Sequence, residues 1–207
     1  LKRYDSVSLV MATHLEASPF IKNMFMDKVQ DKPFPVYECE HGHCIISGIG
    51  KAAAAMAALH LIENYKPDYI LNFGAAGALR KGFHVGEIFQ VEEVWEHDRP
   101  HLISKKKRSY KPEIIEGFPG LVCATGDVPV LAESDRAVLG AGAALVDMEG
   151  AGLLQATSLY GVPASLFKII TDTPDHETDG EIIDNIRATR DLLFRFYEKS
   201  LLPFFED

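Results

Sequence analysis

The chain has 207 residues, 47% of them hydrophobic and 25% charged, with three cysteines and a formal net charge of −9. That length supports one sizeable core burying roughly 70% of the unfolded surface, so a single domain over residues 1–207 is expected. The acidic balance excludes a nucleic-acid or anionic-membrane footprint, no apolar run nears the ~20 residues of a membrane span, and an odd cysteine count excludes a simple disulfide framework.

The opening residues carry no signal-peptide pattern, and a reducing, cytoplasmic setting is expected. Residues 6–12 (SVSLVMA) are β-branched and apolar and predict the first strand. A short helix is predicted over 16–28 with Pro19 in its first turn. Residues 36–46 read as a hairpin turning near Gly42. The alanine-rich stretch 51–65 predicts a helix that stops before Pro67. Buried strands are predicted at 69–73 and 88–94, and shorter ones at 121–124 and 144–146. The segment 97–118 is polar and proline-interrupted, a long loop, and holds the one basic run, Lys105-Lys106-Lys107-Arg108, read as a solvated surface. Residues 148–160 have helical spacing and end at Gly161. A central strand follows at 164–170. A closing helix is predicted at 181–205, with Ile182, Ile183, Ile186, Leu192, Leu193 and Phe196 as its inner stripe. Strands alternating with helices predict an α/β fold, three layers α/β/α, and the hairpin makes the central sheet mixed.

Chemistry-bearing residues gather at the ends of these elements. Thr171-Asp172-Thr173-Pro174-Asp175 follows the buried run 164–170, and a carboxylate at the carboxyl end of a buried strand is where open α/β proteins place chemistry. A second carboxylate, Glu149, lies in Val146-Asp147-Met148-Glu149-Gly150. In Ser47-Gly48-Ile49-Gly50-Lys51, two glycines before a helix let backbone amides approach an anion, or serve a tight strand-to-helix turn. The segment is neither a Walker loop nor a dinucleotide fingerprint. Asn72 to Leu79 (NFGAAGAL) reads as a strand and a small-residue turn against which a flat ligand or sugar can lie. Cys39-Glu40-His41-Gly42-His43-Cys44 holds two cysteines and two histidines in six residues. The spacing is too tight for a tetrahedral zinc loop, and strand alternation divides the side chains, so no metal site is expected. His97-Asp98 reads as a surface polar pair, or as an oriented imidazole near a pocket. Trp95 is expected in the core or an interface.

Seven segments in order, ATHLE ending at Glu16, SGIGK, NFGAAGAL, VGEI, TGD, VDMEG and TDTPD, resemble the purine nucleoside phosphorylase and nucleosidase superfamily. They are most similar to its 5′-methylthioadenosine/S-adenosylhomocysteine nucleosidase branch, over about residues 6 to 197. The resemblance implies a nucleoside phosphorylase/hydrolase-like fold. It implies Asp172 as the group that protonates N7 of the departing purine, Glu149 as acceptor for the ribose hydroxyls, Met148 against the sugar, and Glu16 as the base that activates water. Ala75, Ala76, Gly77, Val128, Pro129, Lys168 and Thr171 fall where the family binds substrate. An acid working near neutral pH needs burial or a neighbouring anion to keep its proton, and Asp175 is the expected neighbour. The chain departs from the branch at Ala75, where the branch has serine, at Pro129, where it has an aromatic that stacks on the base, and at Lys168, where it has arginine. It is also shorter between His97 and Thr125.

The reading is N-glycosidic hydrolysis of a purine-type nucleoside (methylthioadenosine-, adenosylhomocysteine- or futalosine-like) with release of free base. The expected enzyme uses no cofactor or metal and assembles as a homodimer or higher homo-oligomer; its partner is a small-molecule nucleoside, with no nucleic acid and no membrane. Water is preferred to phosphate as nucleophile because the second glycine-rich segment offers no side chain able to hold phosphate. A phosphate-dependent phosphorylase and a non-catalytic nucleoside-binding relative are the alternatives.

Overall fold

The computed structural model describes residues 4–99, 103, 107–175 and 178–205. Its strands are β1 (Val7–Met11), β2 (Asp27–Gln30), β3 (Val36–Cys39), β4 (Gly42–Ile46), β5 (Tyr69–Ala78), β6 (Ile88–Glu96), β7 (Arg108–Tyr110), β8 (Gly120–Thr125), β9 (Leu145–Asp147) and β10 (Ala164–Asp172). The helices are α1 (His14–Asn23), α2 (Lys51–Tyr65), α3 (Glu133–Gly140), α4 (Gly150–Tyr160) and α5 (Asp179–Phe196), with a π turn at Tyr197–Leu201 and a 3₁₀ turn at Leu202–Phe204.

The sheet is mixed. β1 lies parallel between β4 and β5, β5 is parallel to β10, and β6 runs antiparallel to β10. β8 is parallel to both β6 and β9, and β9 returns antiparallel to the end of β5. The strands β5, β10, β6, β8 and β9 therefore close into a ring, and β1, β4, β3 and β2 extend from β5. Helices α2 and α4 pack on one face, where Ala54, Ala57, Ala58 and Leu61 meet Leu153 and Leu154 over Val10, Ile70 and Leu166. Helices α1 and α5 cover the other face, with Phe20, Phe73, Phe167, Phe194 and Tyr197 as an aromatic core. This is the expected three-layer α/β/α arrangement. Among the described residues, no helix is long and apolar enough to cross a membrane.

Several elements differ from the sequence-based expectation, each for a physical reason. Helix α1 starts two residues earlier and ends at Asn23, because Thr13 and Glu16 form a reciprocal capping box. Pro19 therefore lies in the second turn, where it cannot donate to Leu15. The carbonyl of Leu15 instead accepts from Ser18 Oγ at 3.3 Å and Arg190 Nη1 at 3.2 Å. β5 extends through the small residues to Ala78, not ending at Phe73, because Gly74, Ala75 and Ala76 pair with Lys168, Ile169 and Ile170 of β10. The closing helix begins at Asp179, capped by Thr178 and Glu181, and gives way after Phe196 to a wider π turn and then a tighter 3₁₀ turn. Of its predicted inner stripe, Leu193 is buried, while Ile183 and Leu192 are exposed. β2 begins at Asp27, inside the stretch expected as the end of the first helix, β7 lies in the segment expected as a loop, and α3 was not expected; all three are short, and β2 is polar.

Cys39, Cys44 and Cys123 are free thiols, and burial pushes Cys44 up to about 12. The hairpin pairs Cys39 with Gly42 and Glu38 with His43; among the described residues no group of three or more His, Cys, Asp or Glu is arranged to hold a metal. Trp95 is buried. The predicted loop at 97–118 carries β7, paired to β6. Of its basic run, Lys105 and Lys106 lie outside the described residues, and Lys107 Nζ sits 3.4 Å from the Trp95 ring centroid.

Candidate active site

The ends of β1, β4, β5, β9 and β10 converge on one cavity of about 440 Å³, within the range of small-molecule sites. Glu16, Glu149 and Asp172, distant in sequence, all line it, as do Met148, Ala75, Ala76, Gly77, Val128, Pro129 and Thr171. Lys168 does not.

Glu16 is held by its own helix start. Its Oε2 accepts from Thr13 N at 3.0 Å and Thr13 Oγ1 at 2.6 Å, and its Oε1 accepts from Ala75 N at 2.9 Å. The capping box that starts α1 thus also aims a buried carboxylate at β5. The signal T-x-x-E was present in the sequence at Thr13 to Glu16.

Glu149 is the N-cap of α4 and accepts from Gly50 N at 3.0 Å. Gly50 takes φ 103°, a backbone open to glycine, as it enters α2. Burial pushes the Glu149 carboxyl up to about 7; Lys168 opposes that shift and Asp147 adds to it. The next amide, Lys51 N, donates to Asp127 Oδ1 at 2.8 Å. Lys51 Nζ is engaged by Asp98, which also accepts from Asp127 N at 2.8 Å. The imidazole of His97 has its Nε2 buried with no hydrogen-bond partner among the described residues, and burial disfavours its protonation.

Lys168 lies behind the cavity, fully buried in β10, with its Nζ 2.8 Å from Asp147 Oδ2. Asp147 is completed by Thr125 Oγ1 at 2.5 Å and Gly150 N at 2.9 Å. Burial alone would lower Lys168, but Asp147 and Glu149 outweigh it and hold the ammonium above its ordinary range. Burial would likewise raise Asp147, but Lys168 holds its carboxyl below the usual range. Lys168, expected among the substrate-binding residues, thus forms an internal ion pair behind the cavity.

Asp172 closes β10 after a register shift between Ile170 and Asp172, a bulge of the kind that re-aims a side chain beside a site. Its Oδ1 accepts from Thr171 Oγ1 at 3.1 Å, and its Oδ2 is ion-paired with Arg136 Nη2. The expected neighbour, Asp175, is exposed; the group beside Asp172 is a cation. A Cβ on Gly77 would stand 2.6 Å from Asp172 Oδ2, so only glycine leaves room there. Arg136 carried no motif that could have marked it. The lining is largely apolar: Ile182, Ile183 and Ile186 from α5 contribute to it together with Ile49, Val128, Val130 and Leu131. Those isoleucines belong to the predicted inner stripe, but this part of it serves the cavity.

The family model described as Phosphorylase superfamily matches residues 28–127 and 119–201. A 5′-methylthioadenosine/S-adenosylhomocysteine nucleosidase of Exiguobacterium sp. is 32% identical over 160 residues, covering 64% of this chain and 68% of the relative. The apo structure of Arabidopsis thaliana 5′-methylthioadenosine nucleosidase superimposes with a TM-score of 0.88 at 23% identity, covering 99% of this chain and 97% of the other. Native futalosine hydrolase of Helicobacter pylori strain 26695 does so with a TM-score of 0.83 at 17% identity, covering 94% and 96%. With a match over most of its length and the fold in common, the chain belongs to the phosphorylase superfamily.

Proposed function

We propose that this protein is an N-glycosyl hydrolase that cleaves a purine-type nucleoside and releases the free base. The observation that carries the reading is the convergence of Glu16, Glu149 and Asp172 on one cavity of nucleoside size. The glycosidic bond breaks through an oxocarbenium-like sugar, and the base leaves readily when its developing negative charge is neutralised. Asp172 delivers the proton or hydrogen bond to N7, help typically worth ~10²–10⁴-fold. Glu149 accepts the ribose hydroxyls and stabilises the growing positive charge, with Met148 against the sugar. Glu16 takes a proton from water as its oxygen bonds to C1′. Thr171, Ala75, Ala76 and Gly77 shape the floor, and Val128 and Pro129 flank the base, where an aliphatic ring replaces aromatic stacking. Lys168 acts indirectly, as the counter-charge of Asp147.

The substrate class is methylthioadenosine-, adenosylhomocysteine- or futalosine-like, in keeping with the names of the relatives and with the apolar wall from Ile49, Val128 and α5. In the same reading the chain is one catalytic domain, cytoplasmic, with three free thiols suited to a reducing compartment. It works as a homo-oligomer, whose second copy would cover the exposed Ile49 and Val128 at the cavity rim.

Water is favoured over phosphate because the protein's own anions already occupy the donors a phosphate would use. Glu16 takes the amides of Thr13 and Ala75, Glu149 and Asp127 take those of Gly50 and Lys51, and Asp98 and Asp127 flank the Lys51 ammonium. The test is a panel of nucleosides scored for free base by chromatography, with and without phosphate. Base release that is indifferent to phosphate is expected. Stimulation by phosphate with ribose 1-phosphate as product would establish a phosphorylase, and tight binding with no base released a non-catalytic binder.

A further inference from the structure

Arg136 is the bulkiest of the fully buried side chains, 1% exposed, and it comes from α3, an element that carries none of the three carboxylates. Each side of its guanidinium is used. Nη2 donates to Asp172 Oδ2, Nη1 donates to Ala78 O at 2.8 Å, and Nε donates to Leu131 O at 3.4 Å. One planar group thus ties together the carboxylate at the end of β10, the end of β5 and the cavity-lining loop before α3.

The geometry divides the labour of the two Asp172 oxygens. Oδ2 is wedged between Gly77 and the guanidinium. Oδ1, which accepts from Thr171 Oγ1, is the oxygen left to turn toward a bound base. A carboxylate held through one oxygen has fewer orientations open to its other oxygen, and misplacement of a reacting group by about 1 Å costs on the order of 10²-fold in rate. We propose that Arg136 is a positioning residue for base departure: it fixes Asp172 in the orientation that presents Oδ1 to the leaving base, and through Leu131 it sets the base-side wall to the same frame. The inference rests on the reading of Asp172 as the group that assists the leaving base. A lysine at 136 keeps the charge but, as a point charge on a flexible stem, cannot hold three acceptors in fixed directions.

The experiment is a double-mutant cycle with Arg136→Lys and Asp172→Asn, read as kcat, KM and thermal unfolding midpoint. Arg136→Lys is expected to stay folded, to lose at least tenfold in kcat, and to keep KM within threefold. Added to Asp172→Asn, it is expected to cost nothing further in kcat, because both changes act through one carboxylate. A loss in kcat below tenfold, or losses that multiply in the double variant, overturns the proposal. If Arg136→Lys does not fold, Arg136→Gln, which keeps planar donors, takes its place in the cycle under the same criteria. Base release by Asp172→Asn at the native rate would overturn the underlying assignment, and this inference with it; normal behaviour of Asp172→Asn with an additive cycle overturns the inference alone.

Discussion

At the scale of single residues, similar acidic side chains have been given different surroundings. Asp172 lies against a guanidinium, Glu16 against two amides and a hydroxyl, and Glu149 against one amide in a buried setting. Asp172→Asn removes the carboxyl group that assists the leaving base, and base release should fall by at least ~10²-fold while circular dichroism and nucleoside binding stay near native; unchanged turnover would refute its role. Glu149 makes a prediction about stability. Burial pushes its pKa up to about 7, from an ordinary glutamate value of 4.5, so the uncharged form is the one the fold favours. That contribution is complete below pH 4.5 and is lost as pH rises through 7. Glu149→Gln keeps an acceptor for Gly50 and removes the charge, so it should gain on the native protein by roughly 1–3 kcal/mol above pH 7, with the gain vanishing toward pH 4.5. Urea midpoints across that range measure it, and a difference that does not change with pH would contradict the burial argument. The three carboxylates were readable in the sequence because each sits in a short ordered segment. Arg136 was not, because Asp172 and Ala78, which hold the two ends of its guanidinium, are 36 and 58 residues away and no local pattern marks an arginine that will be buried.

At the scale of elements, secondary structure and site are built from the same bonds. The capping box of α1 satisfies orphan amides and also orients Glu16. Thr13→Val should therefore cost about 1 kcal/mol in stability as a lost cap and about tenfold in kcat as Glu16 loses its hydroxyl partner. A stability loss with native kcat would show that Ala75 N alone positions Glu16. α5 is divided along its length: Leu193 and Phe194 anchor it in the aromatic core, while Ile182, Ile183 and Ile186 form a wall of the cavity. Asn185 Nδ2 ties it to Thr171 O at 2.8 Å, beside the bulge. Helical periodicity shows that such a stripe is apolar but not which half faces protein and which faces a cavity.

At the scale of the whole molecule, the closed ring of β5, β10, β6, β8 and β9 places Lys168 where no water reaches it, and Asp147 across the ring becomes its partner. Lys168→Met leaves a buried aspartate uncompensated and should destabilise by about 3–5 kcal/mol. Lys168→Met combined with Asp147→Asn should recover part of that loss; destabilisation in the double variant equal to the sum of the two single losses, by chemical denaturation, would mean that the pair is not coupled. Sequence alone determined whatever depends on neighbours along the chain: the alanine-rich helix Lys51–Tyr65, the hairpin about Gly42, the alternation that makes the fold α/β, and the order of the acidic segments. Tertiary structure alone decided how far β5 runs, which charge faces Asp172, what Lys168 pairs with, and which side of α5 meets the cavity. The physical reason is range. Propensity, capping and periodicity act over a few residues, whereas strand register and buried ion pairs are settled by groups tens of residues apart that meet only when the sheet closes.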